Sequence, residues 1–519
     1  MSWQARVVRN RYVDSVRLMA VAQSLRERDG VAACEVLTGT PANLEQLAAR
    51  GIAADAAPTD IVLAVDAGSS EDAAAALDAG EQALAADPPR AGGDGGSVSA
   101  PPRTSVSAAR ALGGANVALV SVPGEYATLE AHRALSEGMH TFLFSDHVSL
   151  DDELALKRRG AERGLLVMGP GCGTAMLGGA GLGFANVVPS GPVGVVAAAG
   201  TGAQEVAVLL AGAGVGVSQI IGVGGRDLHA EIGGIMFRAA MRTLAEDDET
   251  ETLLLVSKPP SREAVQALGD VDVKGKRVVA AFVGWEGGDA PFEIHPTLDA
   301  GAFAAAGATP PRVDALERAI TDAARRHSRG GAVSGGSAGA AAGSGHADGD
   351  DGDGRAAHVL GLYSGGSLAY EAVTLLEPLL GPVGGNAGHG DDDERHAIFD
   401  LGEEEYTQGR PHPMVDLETR LGFLRERAAR DDVACVLLDV VIGHGSHADP
   451  AGGLAPELGR LARSRVVIAH VCGTELDPQD VRRQERTLRD AGVFVAPTNA
   501  AAAQLAAHAV AVSNRRVTA

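Results

Sequence analysis

The chain has 519 residues, room for about three domains at roughly 100–200 residues each. Its hydrophobic content of 45% supplies cores and excludes wholesale disorder. A formal charge of −23 excludes a general nucleic-acid binder, which needs a basic footprint, and disfavours docking on anionic membranes. With 69 glycines and only 3% aromatic residues, the cores must be built from Val, Leu, Ile and Ala, with close backbone approaches at glycine.

In chain order, the start MSWQARVVRNRYVDS is charged and lacks the apolar stretch of a signal peptide. Cys34, Cys172, Cys435 and Cys472 form no CxxC pair or zinc spacing, which fits a reduced compartment. The expected location is the cytoplasm. Strands are expected at Ile61–Val65, Val117–Val122, Thr141–Phe144, Leu165–Met168, Val193–Ala197, Ser218–Ile221, Thr252–Val256 and Arg277–Val283. Four more follow at Val359–Tyr363, Cys435–Val441, Val466–Ala469 and Val493–Ala496. Most are unbroken apolar runs, the mark of parallel strands covered on both faces. Helical stretches such as Arg11–Arg28, Tyr126–Glu137, Ala203–Ala211 and Leu417–Arg430 alternate with them. The expected fold class is therefore α/β with parallel, doubly wound sheets. Two linkers interrupt it, at 86–107 and at 327–356, both rich in small and polar residues, with a smaller polar loop at 384–395.

An internal repeat organises the second half. VGVVAAAGTGAQE at 193–205 matches VLGLYSGGSLAYE at 359–371, and RVVAAFVG at 277–284 matches RVVIAHVC at 465–472. Residues of about 160–306 and 357–519 read as two copies of one unit, preceded by a different nucleotide-fold-like domain.

The repeated strand-to-helix turns are the first candidate sites. At Gly200-Thr201-Gly202 and at Ser364-Gly365-Gly366-Ser367, glycines admit an anion to the backbone N–H groups, and the helix start adds positive potential. An ordinary βα turn with a Thr or Ser cap explains the same residues. Gly225-Arg226-Asp227 offers a guanidinium fork for a carboxylate or phosphate, or a surface ion pair. Cys172-Gly173, in GPGCGT, presents successive N–H groups beside a thiol that is a nucleophile or, with no base visible nearby, more readily a buried structural cysteine. His444, His447 and Asp449 follow a buried strand, where the ligand crevice of an open α/β sheet lies. Acid–base work or anion binding ranks ahead of a capping role there, and metal ligation last. Cys472-Gly473-Thr474 would lie nearby, with His295 and Asp299 completing the set. In the N-terminal part, Thr38-Gly39-Thr40 follows a strand and is a nucleotide contact or a plain turn.

VSVPGEYATLEAHRALSEGMHTFLFSD, VMGPGCGT, GPVGVVAAAGTGAQE and IIGVGGRDL together resemble the succinyl-CoA synthetase superfamily. GGRDLHAEIGGIM, LVSKPP, LYSGGSLAYEA, GHGSHADPAGGLAP and HVCGTELDPQD resemble its FdrA-like branch. The resemblance implies a Rossmann-like CoA-binding-type domain at 1–158, with a flexible insertion at 86–107, and a flavodoxin-like ligase-CoA domain at 159–326. A disordered linker at 327–356 and a second ligase-CoA domain at 357–519 would follow. The relay histidine of a nucleoside-diphosphate-forming ligase is missing, since Asp299 stands where it is expected. No ATP-grasp region is evident in a chain with four lysines.

What the branch resemblance implies is the large subunit of an oxamate carbamoyltransferase in purine or allantoin catabolism, working with two partner subunits encoded nearby. Phosphate or carbamoyl phosphate would be a substrate, the partners small anionic metabolites, and CoA or a nucleotide an optional ligand at the N-terminal domain. Arg226, His447 and Asp449 would carry catalysis. No metal, nucleic acid or membrane is expected, and a homo-oligomer stays open. An NDP-forming acyl-CoA synthetase subunit and a non-catalytic CoA-binding scaffold are the alternatives.

Overall fold

The structure is a computed structural model that describes residues 3–11, 13, 15–26, 28–85, 102, 104–330, 357–390, 396–407 and 410–515. Most of the linker expected at 86–107, residues 331–356 of the second linker and residues 391–395 of the polar loop lie outside the described residues. Residues 327–330, assigned to the second linker, instead end a helix. The chain divides into two compact units: 1–101 with 402–416, and 102–401 with 417–519.

The first unit holds β1 (Trp3–Val8), α1 (Ser15–Arg26), β2 (Val31–Thr38), α2 (Pro41–Ala49), β3 (Ile61–Ala67) and α3 (Ser70–Ala85). Its sheet order is β1-β3-β2, and β3 runs antiparallel to both neighbours. The α/β class expected for the chain holds, but the parallel, Rossmann-like pairing expected from residue 1 does not describe these strands. Alternation of strands and helices fixes only that a helix separates two strands. Here β3, the most apolar strand, inserts between β1 and β2 and takes the centre with six buried residues.

The second unit opens with α4 (Ser105–Ala111), β4 (Val117–Val120), α5 (Gly124–Ser136), β5 (His140–Leu143), α6 (Leu150–Glu162) and β6 (Val167–Met168). These three strands form a small parallel sheet, where the expected parallel pairing does occur. Next come β7 (Thr174–Leu177), β8 (Ala180–Gly183), β9 (Val193–Ala197), α7 (Gly200–Gly212), β10 (Val217–Gly222) and α8 (Ile235–Glu246). They are followed by β11 (Thr252–Ser257), α9 (Arg262–Gly269), β12 (Arg277–Phe282), β13 (Glu293–His295), α10 (Leu298–Ala306) and α11 (Asp314–Gly330). The last stretch contains β14 (His358–Tyr363), α12 (Gly366–Leu380), β15 (Val383–Gly384), β16 (His396–Asp400), α13 (Glu404–Thr407, in the first unit) and α14 (Glu418–Glu426). It ends with β17 (Val433–Val441), α15 (Pro450–Leu461), β18 (Val466–Cys472), α16 (Val481–Asp490), β19 (Phe494–Ala496) and α17 (Asn499–Asn514).

The repeat is visible in the topology. One sheet runs β13-β12-β11-β9-β10-β7-β8 and the other β15-β16-β14-β17-β18-β19. Read from opposite ends, β13, β12, β11, β9 and β10 take the places of β19, β18, β17, β14 and β16, all in parallel pairing. The interior strands β9 and β18 are buried along their whole length, as largely apolar strands covered on both faces are. Thr297 and Thr498 cap α10 and α17 at equivalent positions, each accepting an N–H from the first helical turn.

Candidate functional site

The two glycine turns meet. A Cβ placed on Gly365 would lie 2.7 Å from Thr201 Cγ2, and one on Gly202 would lie 3.4 Å from Ser367 Cβ. The Ser367 N–H donates to Thr201 Oγ1 at 3.2 Å, so positions that correspond in the repeat touch each other. Helices α7 and α12 thus start side by side, and neither N-cap, Ala199 or Gly365, brings a side-chain acceptor to its helix. The α7 start, which has no side-chain cap, leaves partial positive charge at this point of a strongly acidic chain, whereas the α12 start meets the Thr201 hydroxyl and, at Gly365, a carboxylate.

Around the first turn the C-terminal ends of the parallel strands gather, as expected of open α/β sheets. A Cβ on Gly200 would sit 3.8 Å from Gly173 Cα, and one on Gly225 would sit 3.9 Å from the carbonyl oxygen of Ala198. Gly224, at φ +87°, lets the 222–226 turn approach the Pro170 carbonyl, where a Cβ would be 2.7 Å away. Cys172 is buried beneath these loops. Burial pushes its thiol up to about 12, against the pull of the Thr174 backbone and Lys157. It is a packing residue.

One turn into α7, Glu205 is buried against His470 of β18, Oε2 to Nε2 at 2.8 Å. Nδ1 of His470 lies 3.1 Å from the Ala496 carbonyl, which can only accept, so Nδ1 carries a proton. Burial lowers the basicity of His470, but the charge and hydrogen bond of Glu205, with the Ala496 carbonyl, outweigh it and hold its pKa above the ordinary range. The counterpart of Glu205 in the repeat is Glu371. It accepts the Leu298 N–H at 2.6 Å and the Asn499 amide at 2.8 Å, and burial lifts its pKa to about 8. Each glutamate therefore reaches from its own repeat into the other. Neither Glu205, His470 nor Glu371 stood out in the sequence, although the glutamate recurs in both copies of the matched motif inside an otherwise apolar helix.

The second turn is already occupied. The N–H groups of Ser364 and Gly365 donate to Asp439 at 2.8 Å each, and the Ser364 hydroxyl to the same carboxylate at 3.0 Å. Arg420 holds Asp439 from behind at 2.8 Å, and both are buried. Ser364 and Gly365, expected to bind an anion from solution, spend these donors internally. Lys258, at the end of β11, lies beside the start of α12: an atom at the Cβ position of Gly366 would be 3.7 Å from its Nζ and 2.4 Å from Asp400 Oδ2.

The other expected residues fall into place as follows. Arg226 donates to the Val148 carbonyl and pairs with Glu153 at 2.7 Å, keeping part of its guanidinium exposed. Asp227 does not hold Arg226. It pairs with the fully buried Lys157 at 2.7 Å and accepts N–H groups at the start of α8. His447 Nδ1 accepts the Asp449 backbone N–H at 3.0 Å, while the Asp449 carboxylate caps α15 and receives Gln484. The His447 ring and the Asp449 carboxylate thus make separate local contacts and do not pair with each other. His444 is exposed on its side chain and bridges Ala185 through its backbone. Thr474 donates to the Val187 carbonyl, Cys472 is buried, and a Cβ on Gly473 would strike Ile442 at 2.2 Å, so this stretch clamps the 185–187 loop. Asp299 accepts the Thr297 and Thr498 hydroxyls at 2.6 and 3.0 Å. His295 pairs with Glu293 at 2.8 Å.

In the first unit, the Gly39 N–H donates to the Asp60 carbonyl, and a Cβ there would lie 2.4 Å from the Ala57 oxygen. Asn43 donates its amide to the Thr38 carbonyl, and Thr40 receives the Asn43 N–H. The Thr38–Thr40 turn is packed on its own chain.

A family model described as CoA-ligase matches residues 362–509, and one described as "AllF, heavy metal-associated domain" matches residues 1–101. Residues 1–101 contain one cysteine and no histidine, and among the described residues no three His, Cys, Asp or Glu side chains could hold a metal ion. The donor set does not fit a metal. The chain is 32% identical to the uncharacterized protein YahF of Escherichia coli (strain K12) over 94% of this chain and 95% of that protein. It is 28% identical to the alpha 1 subunit of an ADP-forming succinate–CoA ligase of Archaeoglobus fulgidus, over 33% of this chain and 58% of the subunit. An ATP citrate lyase from Methanothrix soehngenii, solved with citrate and coenzyme A, aligns at a TM-score of 0.32 with 18% identity, over 40% of this chain and 38% of that one. The expectation of a carbamoyl transferase is corrected by the CoA-ligase family model and the succinate–CoA ligase match. No helix among the described residues is long and apolar enough to cross a membrane. The chain belongs to the family of YahF, within the succinyl-CoA synthetase superfamily.

Proposed function

We propose that the chain is the CoA-ligase component of an acyl-CoA synthetase-like enzyme of the NDP-forming class, in the FdrA-like branch, and that the α7–α12 junction receives the phosphate of that chemistry. The observation that carries the reading is the α7 start, which has no side-chain cap, meets the α12 start at Thr201 and Ser367, and is ringed by the loops at 169–174 and 222–226. The N–H groups of Gly200, Thr201 and Gly202 with the α7 dipole would hold the phosphate. Arg226 and Lys258 would supply nearby positive charge.

The supported half-reaction is phosphorolysis of an acyl-CoA. A phosphate oxygen bonds to the thioester carbonyl carbon, the C–S bond breaks, and CoA leaves as a thiol while acyl phosphate forms. Positioning and a preorganised positive site supply the rate, and no protein nucleophile is needed. Asp299, held by two threonine hydroxyls, does not serve as a phosphoryl relay. Small anionic metabolites and separately encoded subunits are the partners this reading calls for. Four unpaired, buried thiols fit a cytoplasmic setting. The test is release of free CoA from a panel of acyl-CoAs with phosphate or arsenate, read by mass spectrometry. Release that depends on the anion and is lost in Gly202→Val supports the reading. Absence of both release and phosphate binding refutes it.

A further inference from the structure

Strand pairing aligns the two repeats residue by residue. Val193–Ala197 of β9 corresponds to Val359–Tyr363 of β14. Strand β9 pairs Val196 with Leu255 and Ala197 with Val256 of β11, while β14 pairs Leu362 with Leu438 of β17. Asp439 therefore occupies in the second repeat the position that Val256 holds in the first.

That exchange decides what each turn binds. In the second repeat the Asp439 carboxylate takes two main-chain N–H groups at 2.8 Å and the Ser364 hydroxyl at 3.0 and 3.1 Å. Arg420 adds one guanidinium N–H to Oδ1 at 2.8 Å and another to the Asp439 carbonyl at 2.7 Å. Main-chain amides, a hydroxyl and a guanidinium converging on one carboxylate are the donors with which proteins hold free oxyanions. In the first repeat Ala198 and Ala199 align with Ser364 and Gly365, and the Ala198 N–H donates to the Val256 carbonyl at 2.9 Å. A methyl group stands where the carboxylate would be, Val256 Cγ1 lying 3.2 Å from the Cβ position of Gly202 one turn on. No carboxylate from β11 can fill that turn.

We propose that Asp439 is the permanent, built-in ligand of the second turn, so that of the two duplicated anion turns only the first takes an anion from solution. The part concerning the first turn rests on the function proposed above. The part concerning Asp439 stands independently. The chain then exchanges one phosphate, not two, and the second repeat acts as a fixed wall against which Thr201 is held.

Asp439→Ala removes the carboxylate and leaves a gap of formate size beside Arg420. The variant is expected to unfold more readily than the parent, and formate should restore it in a saturable way. At ten times its dissociation constant, formate should raise the folded-to-unfolded ratio about 11-fold. Chloride at equal ionic strength should not do so, and the parent chain should not respond. If Asp439→Ala does not fold, the paired variant Asp439→Ala with Arg420→Met removes the uncompensated cation, and the formate response is read on it. Equilibrium dialysis with inorganic phosphate should count one site per parent chain, lost in Gly202→Val. A variant indifferent to formate, or two phosphate sites on the parent, overturns the proposal. Phosphate binding that is absent or unchanged in Gly202→Val refutes the first-turn reading alone, and leaves the formate result to judge Asp439.

Discussion

Gly365→Ala tests whether the two turns are in contact. The Gly365 backbone, at φ −113° and ψ 108°, is one that any residue adopts, so strain is not the issue. Elsewhere such a change would stabilise by about 0.4–1 kcal/mol through the unfolded chain. Here the new methyl would lie 2.7 Å from Thr201 Cγ2 and 2.9 Å from both Cβ and Oγ1. Carbon contacts settle near about 3.5–4.0 Å, so one turn must retreat by about 1 Å. Overpacking of that kind costs about 1–3 kcal/mol, which outweighs the backbone gain. Urea unfolding followed at Trp285, with Trp3→Phe silencing the other tryptophan, reads the second unit. The expected result is a lower midpoint at unchanged slope. Thr201→Ser deletes the nearest methyl and should recover at least about 0.5 kcal/mol of the loss in a double-mutant cycle. A Gly365→Ala variant as stable as the parent, or strict additivity with Thr201→Ser, would refute the contact.

Stability should fall as pH rises through neutrality. Glu371 is raised from 4.5 to about 8, so the folded chain keeps a proton that the unfolded chain gives up, and stability declines between those values. The raised pKa of His470 acts in the same sense, with its contribution full below about 6.5 and lost as pH passes the folded value. Unfolding midpoints from pH 5 to 9 check this, and Glu371→Gln should flatten the slope. Asp449→Ala should cost about 1 kcal/mol, because the carboxylate caps α15. An Asp449→Ala variant with an unchanged midpoint would contradict the capping role. The buried thiols should resist alkylation in the folded chain: with Cys172 at about 12, its labelling at pH 8 should be about a thousand-fold slower than that of an exposed thiol. Rapid labelling of native Cys172 would show that it is accessible.

The repeat was legible because strand, glycine turn and helix recur at one spacing, and both glycine turns lie where the sequence places them. That they meet was not legible, since nothing in 193–205 or 359–371 says which face the other copy covers. Asp439 was hidden for the same reason. It reads as a polar residue in an apolar strand, and only the β14–β17 register brings it under Ser364 and Gly365. His447 and Asp449 read as candidates because they follow a buried strand at the crevice end of a sheet, but α15 begins at Pro450 and takes the aspartate as its cap. In the first unit the sequence marks α1 and β3 but not β1, α2 or α3, and strand direction is not legible because insertion of β3 between its neighbours leaves no local signature.

Acyl-CoA phosphorolysis addresses the central claim most directly. The purified chain, alone and with the partner subunits proposed above, is incubated with inorganic phosphate and a panel of acyl-CoAs, and acyl phosphate is trapped as the hydroxamate. The account predicts phosphate-dependent release of CoA with a matching yield of hydroxamate, abolished by Gly202→Val. No CoA release in any combination, together with no phosphate bound to the folded chain, would contradict it.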